Sequence, residues 1–200
     1  LRQSIACRMD KSHVKTSKAL SYLLRHNLRD FNVREGGYVG VNELLAHQSL
    51  RHSTVDEITE VVKCNTKKRF GIKTDAESQE LLICAYQGHS VDVPNLELAP
   101  ITSHYEVPTV IHGTRKAVLS SIMRDGLKRM GRMHIHFAAG ELHEVTSGYR
   151  NSSEVLIYIN MKSALEDGIP FYQSPNNVVL TPGDETGTIL PKYFLKVIER

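Results

Sequence analysis

The stretch Ser17-Lys18-Ala19-Leu20-Ser21-Tyr22-Leu23-Leu24-Arg25-His26 constrains this chain more than any other. Ala19, Leu20, Leu23 and Leu24 recur at three- and four-residue spacings, so the segment is an amphipathic helix that must bury its leucines. Ser17 is a favourable N-cap residue, which predicts a helix over 17–26 and a polar lead-in over 1–16. The last turn carries Arg25 and His26. Cations there offset the negative end of the helix dipole, and the same pair suits an anionic ligand. Taken alone, the pair leaves both readings open.

A chain of 200 residues makes one large domain or two small ones, each with enough mass for a core. No apolar run approaches the roughly 18 residues of a membrane span, and residues 1–4 lack a signal-peptide pattern. The expectation is an intracellular protein of the cytoplasm and/or nucleus with no membrane partner. Cys7, Cys64 and Cys84 lack CxxC spacing, which argues against a disulfide framework and a zinc site and fits a reducing compartment. The net charge of +3 is unevenly placed. Residues 1–73 hold 14 Lys+Arg against 7 Asp+Glu, and residues 74–98 hold none against 5. A basic excess in the first third is what an anionic polymer would meet, although solvated basic faces are common.

In chain order, Tyr38–Val41 reads as a short strand, and Asn42 caps a short helix with Leu44 and Leu45 inward. Thr54-Val55-Asp56-Glu57 is a capping box that opens a helix with Ile58, Val61 and Val62 on one face. Arg69–Lys73 and Leu81–Tyr86 read as the two strands of a hairpin. Three helices followed by a hairpin is a winged-helix arrangement, a fold that does not by itself prove nucleic-acid binding. Pro94 to Pro108 is a connector, which predicts domains over 1–98 and 99–200. Beyond it, Val110-Ile111, Met133–Phe137, Glu154–Asn160, Phe171–Gln173 and Val178–Leu180 read as strands. Arg115–Arg124 and Met161–Glu166 read as helices, the first ended by Gly126. The tail from Leu190 is open between strand and helix. The fold class is α+β.

Several residues can carry chemistry. Lys67-Lys68-Arg69 begins the wing strand; the lysines read as a solvated turn. Arg69 approaches Arg25 and His26 if the strand pairs beside the end of the first helix. An arginine fork suits phosphate because it donates two parallel, charge-assisted hydrogen bonds. Gln87-Gly88-His89-Ser90 either lines a groove or closes the wing. His112-Gly113-Thr114 lies at a strand end, where glycine admits close approach to the main chain and its neighbours offer directional hydrogen bonds. His134 and His136 share one strand face, without a third metal ligand nearby. Arg150, in Ser147-Gly148-Tyr149-Arg150, precedes an apolar strand as a loop arginine.

The ordered set of Ser17–His26, Lys68-Arg69-Phe70, Gln87–Ser90, Ile111–Thr114, Arg132-x-His134-x-His136, Ser147-Gly148-x-Arg150 and Phe171-x-x-Ser174 resembles the NAD-dependent RNA (tRNA) 2′-phosphotransferases, over residues from about 16 to 195. The resemblance implies two lobes, a winged-helix-like RNA lobe and an ADP-ribosyltransferase-like NAD lobe. It implies that Arg25, His26, Arg69 and Arg150 are catalytic. His112, Gly113 and Thr114 would hold NAD, with His134, His136 and Ser174 near it. Arg25, Arg69, Gln87, His89 and Ser90 would meet the RNA. The implied reaction moves an internal RNA 2′-monophosphate, at a tRNA splice junction, to NAD as co-substrate, with no metal. A monomer is expected. Many relatives have Pro soon after the Arg-His pair, where this chain has Asn27 and Leu28, and Asn-Gly where it has Asn176-Asn177. These departures bear on substrate preference and kinetics. Two rivals remain open: an ADP-ribosyltransferase that stops at a nucleic-acid adduct, and a non-catalytic winged-helix binder.

Overall fold

The computed structural model describes residues 10–141, 144–145 and 147–200. The chain forms two compact units, one ending at Leu96 and the other running Glu97–Arg200. Both mix helix and strand.

In the first unit α1 spans Lys11–His26. It begins earlier than Ser17 predicts: the N-cap is Asp10, whose carboxylate accepts from the His13 amide at 2.8 Å. The first turns lack apolar periodicity because polar contacts hold them. Thr16 Oγ1 and Ser12 Oγ both donate to Glu57 Oε1 at 2.9 Å. Burial alone would raise the Glu57 pKa; hydrogen bonds from Ser12, Thr16 and Ser53 hold it low instead. Leu20, Leu23 and Leu24 are buried, so the leucine face packs as expected.

The short strand β1 (Val39–Gly40) leads into α2 (Val41–Leu45), whose N-cap is Gly40 rather than Asn42. Leu44 is buried and Leu45 half-buried. Helix α3 (Val55–Cys64) is capped by Thr54, which accepts from the Glu57 amide at 3.1 Å. The return half of the capping box is absent from the described contacts, because the Glu57 carboxylate is spent on α1. Strands β2 (Phe70–Thr74) and β3 (Leu81–Ala85) pair antiparallel in the expected hairpin, and β3 also pairs with β1. The leucines of α1 share one core with Ile58, Val61, Phe70 and Ile83. Cys84 is free and buried. Cys64 ends α3 and is buried, and Cys7 lies outside the described residues.

The second unit is built on strands β4 (Ala99–Ile101), β5 (Val110–Thr114), β6 (Leu127–Lys128), β7 (Ile135–Ala139) and β8 (Val155–Ile159). They are followed by β9 (Phe171–Gln173), β10 (Val178–Thr181), β11 (Thr188–Ile189) and β12 (Phe194–Glu199). Seven of them form one antiparallel sheet in the order β12-β8-β5-β7-β10-β9-β4; β6 pairs with β11. The tail is thus a strand. The helix expected over 115–124 is a 3-10 turn, Lys116–Val118, followed by α4 (Leu119–Asp125), and α5 (Met161–Glu166) lies where the sequence puts it.

All of β8 is buried, which explains its unbroken apolar sequence. Val155, Ile157 and Ile159 join the main core with Phe137 and Phe171. Leu156 and Tyr158 join a smaller cluster with Ile111, Ala138, Val145 and Tyr149.

Candidate active site

In the first unit the candidates gather at the C-terminal end of α1. The segment after β3 returns to that end: Ser90 N donates to the Arg25 carbonyl at 2.9 Å, and Ser90 Oγ lies 2.9 Å from His26 Nδ1. Gly88 sits at φ +94°, and a Cβ there would stand 3.3 Å from Cδ and Nε of Arg25. Glycine therefore both adopts this left-handed turn without strain and leaves room for the arginine. Gln87 is half-buried, His89 buried and Ser90 exposed. The turn both closes the wing and fastens to α1, so the two readings of Gln87–Ser90 are not exclusive.

Arg69 stands just before β2, where its carbonyl accepts from Tyr86 N at 3.0 Å. It is therefore opposite the residue that leads into Gln87. Its Nη1 donates to Asn65 Oδ1 at 3.2 Å. Asn65 in turn donates from Nδ2 to Ser17 Oγ at 3.3 Å. Burial lowers the Arg69 pKa, yet a guanidinium stays charged at neutral pH. Among the described residues no carboxylate forms an ion pair with Arg69. A half-buried cation without a countercharge is a place for an anion.

In the second unit β5 and β7 bring two of the histidines together. His112 Nδ1 lies 2.9 Å from the His136 carbonyl. A carbonyl only accepts, so Nδ1 carries the proton and Nε2 is left as an acceptor. Burial pushes the His112 pKa down, against the raising effect of that hydrogen bond, so the ring is neutral. Burial also lowers the His134 pKa, with Arg129 adding to it; its ring meets the edge of Tyr172 at 6.3 Å.

The Ser147–Arg150 segment is pressed onto β7. Gly148 has φ +89°, and a Cβ there would lie 2.5 Å from the Phe137 carbonyl oxygen and 2.6 Å from Ala138 Cα. Only glycine fits. Arg150 follows two residues later and is exposed. At Gly113 a Cβ would lie 2.5 Å from Ser153 Oγ, so the space that the glycine opens on that side belongs to Ser153. Thr114 is half-buried, and its carbonyl accepts from Glu154 N at 2.9 Å. Ser174 is buried, and its hydroxyl serves its own turn. Its Oγ lies 2.8 Å from Asn176 Oδ1 and 3.1 Å from the Val178 carbonyl, and accepts from Val178 N at 3.1 Å. Asn177 takes the positive φ, +59°, of that turn.

The structure thus joins Gly88 and Ser90 to Arg25 and His26 in the first unit, and His112 to His136 in the second. Sequence reasoning missed Asn65, which appeared only as the end of a helix, and Ser153. It also missed the hydrogen bond from Tyr158 Oη to Glu141 Oε2 at 2.9 Å. Among the described residues no group of three or more His, Cys, Asp or Glu is arranged to hold a metal ion, and no helix is long and apolar enough to cross a membrane.

The family model described as "RNA 2′-phosphotransferase, Tpt1 / KptA family" matches residues 11–183. The chain belongs to the RNA 2′-phosphotransferase family. As a member it is a transferase. It is 42% identical over 192 residues to tRNA 2′-phosphotransferase 1 of Mus musculus, covering 94% of this chain and 77% of the relative. It is 42% identical over 184 residues to tRNA 2′-phosphotransferase of Saccharomyces cerevisiae, covering 86% and 80%. A probable RNA 2′-phosphotransferase of Acaryochloris marina is 37% identical over 194 residues, covering 94% of this chain and 99% of the relative. Arg25, Arg69, His112 and Arg150 all fall inside the span that the RNA 2′-phosphotransferase model matches.

Proposed function

We propose that this chain removes an internal 2′-phosphate from RNA, at a tRNA splice junction, and passes it to NAD. The products are RNA with a 2′-hydroxyl, nicotinamide and ADP-ribose 1″,2″-cyclic phosphate, formed through a 2′-phospho-ADP-ribosylated RNA. The observation that carries the reading is Arg69, a half-buried cation with no carboxylate partner among the described residues, opposite the turn that backs onto Arg25. The names of the relatives support the same substrate.

The first unit serves as the RNA lobe. Its three helices and hairpin suit a winged-helix-like module. Arg25 and Arg69 grip the 2′-phosphate, and His26, held through Nδ1 by Ser90, presents its other nitrogen to it. Gln87, His89 and Ser90 make up the turn that receives the RNA backbone.

The second unit serves as an ADP-ribosyltransferase-like lobe for NAD. Its donor set suits a ribose. The His112 tautomer leaves Nε2 as an acceptor for a hydroxyl, and Gly113 and Thr114 offer main chain beside it. His134, His136 and Ser174 shape the strands around them. The scissile N-glycosidic bond is supplied by NAD itself. The protein must bring two anions together, and fixed cations do so with little reorganisation. Arg150 stabilises charge that develops on the phosphate when the RNA 2′-oxygen leaves. No step requires a metal.

The test is one incubation of the protein with RNA labelled at a single internal 2′-phosphate, with and without NAD and with no added metal. Label in ADP-ribose cyclic phosphate, only with NAD, supports the proposal. Label retained on an ADP-ribosylated RNA overturns the second step. No NAD-dependent change overturns the transferase reading for this substrate.

A further inference from the structure

Ser17 opens the stretch from which the leucine face of α1 is read, yet it caps no helix and touches no proposed ligand. It is buried in the middle of α1, at 6% exposure. Its partner is Asn65, at 2% exposure, which directly follows the last residue of α3. Asn65 faces Arg69 with its carbonyl oxygen, which takes both Arg69 Nη1 at 3.2 Å and Arg69 N at 3.4 Å. Guanidinium and amide N–H groups only donate, so Oδ1 must turn to Arg69 and Nδ2 must turn away, to the Ser17 oxygen. Ser17 within α1 and Arg69 just before β2 thus fix the orientation of the Asn65 side chain.

The chemistry of the holder matters as much as its position. A buried arginine is most simply held by Asp or Glu, and the resulting ion pair would satisfy its charge. Here the holder is a neutral amide. It takes one N–H of the guanidinium and leaves the charge whole.

We propose that Asn65, locked by Ser17, is a positioning residue that aims the Arg69 guanidinium while keeping its charge available to the RNA 2′-phosphate. The inference rests on the reading of Arg69 as part of the phosphate grip.

Two short RNAs that differ only in carrying a 2′-phosphate or a 2′-hydroxyl at one internal position provide the test. Their Kd values are measured by fluorescence anisotropy at one fixed salt concentration, without NAD. The readout is the ratio of the two affinities, because any general repulsion of RNA by an added charge cancels in it. Asn65→Asp keeps shape and adds the countercharge. The expected result is a preference for the phosphorylated RNA reduced by about tenfold to a hundredfold, the scale of a hydrogen bond to a charged group, with thermal midpoint unchanged. Adding Arg69→Ala to Asn65→Asp then removes little more. Ser17→Ala, which frees the amide to turn, reduces the preference by about threefold, and it carries the test if Asn65→Asp does not fold. Wild-type preference in the folded variant, or equal losses for both RNAs, overturns the proposal. So do independent, multiplying effects of Asn65→Asp and Arg69→Ala. A wild-type protein with no preference between the two RNAs overturns the phosphate grip itself, and absence of NAD-dependent transfer with preference intact leaves this inference standing.

Discussion

In the first unit Arg69 is a cation held by a neutral partner, whereas in the second His112 and His134 are histidines whose charged form burial disfavours. Arg69 is held by an amide, and His26 by a serine hydroxyl. His112 and His134 are pushed toward their neutral forms by burial. The contrast follows from what each unit is proposed to meet. A phosphate dianion rewards charge fixed in advance. A ribose is an uncharged polyol that rewards acceptors of defined tautomer, and an imidazolium has no acceptor to offer. Arg150, exposed in the second unit, departs from the pattern, as suits a group assigned to charge that appears during reaction.

The comparison breaks most visibly at Arg69. Arg69→Ala should lower kcat/KM for the 2′-phosphorylated RNA on the order of 10²–10³-fold without raising KM for NAD; steady-state rates at varied NAD check both. An equal loss in the NAD term would show that the charge serves both substrates. Next in size is Gly148→Ala, which forces a Cβ into the β7 backbone at a left-handed φ. It should destabilise the fold by about 2–5 kcal/mol, read as a lower thermal midpoint.

A pH titration sharpens the contrast. The folded-state pKa values of His112 and His134 lie below the ordinary 6.5. The unfolded chain therefore binds protons first as pH falls. The stability these groups contribute is whole above pH 6.5 and is lost as pH drops below it toward their folded values. KM for NAD should rise over the same interval as Nε2 of His112 becomes protonated, and His112→Asn should flatten that rise. The smallest effect is expected from Gly88→Ala. The Cβ crowds the Arg25 side chain at 3.3 Å and the backbone is left-handed, so RNA affinity should fall about threefold to tenfold, for a strain on the order of 1 kcal/mol. Affinity equal to wild type would mean that Arg25 does not depend on the turn.

What was legible in the sequence was whatever local spacing controls. The leucines of α1, the hairpin of β2 and β3, the unbroken apolar run of β8 and the helix α5 all follow from periodicity. The first turns of α1 escaped because Thr16, Ser12 and Glu57 hold them through polar bonds, which leave no hydrophobic period. Ser17 was misread for the same reason: a buried serine bonded to a distant amide looks like a cap when only its neighbours are visible. Strands β4, β6 and β11, of two or three residues each, are too short to show alternation, and they exist because a remote partner pairs with them. The candidate arginines and histidines stood out by residue type and order. Their holders did not, since an asparagine after a helix, or a serine in a loop, is ordinary until the chain has folded.

The order of the large sheet also bears on the history of each newly made molecule. Strand β8 pairs with β5 on one side and β12 on the other. Its first partner is made well before it, but the second is complete only at Glu199. Until β12 pairs, this largely apolar strand has one row of main-chain amides and carbonyls bare. An open, apolar strand edge is a template for pairing with another chain. A molecule in which β12 has not yet docked, or has come away, is thus exposed to edge-to-edge association along β8.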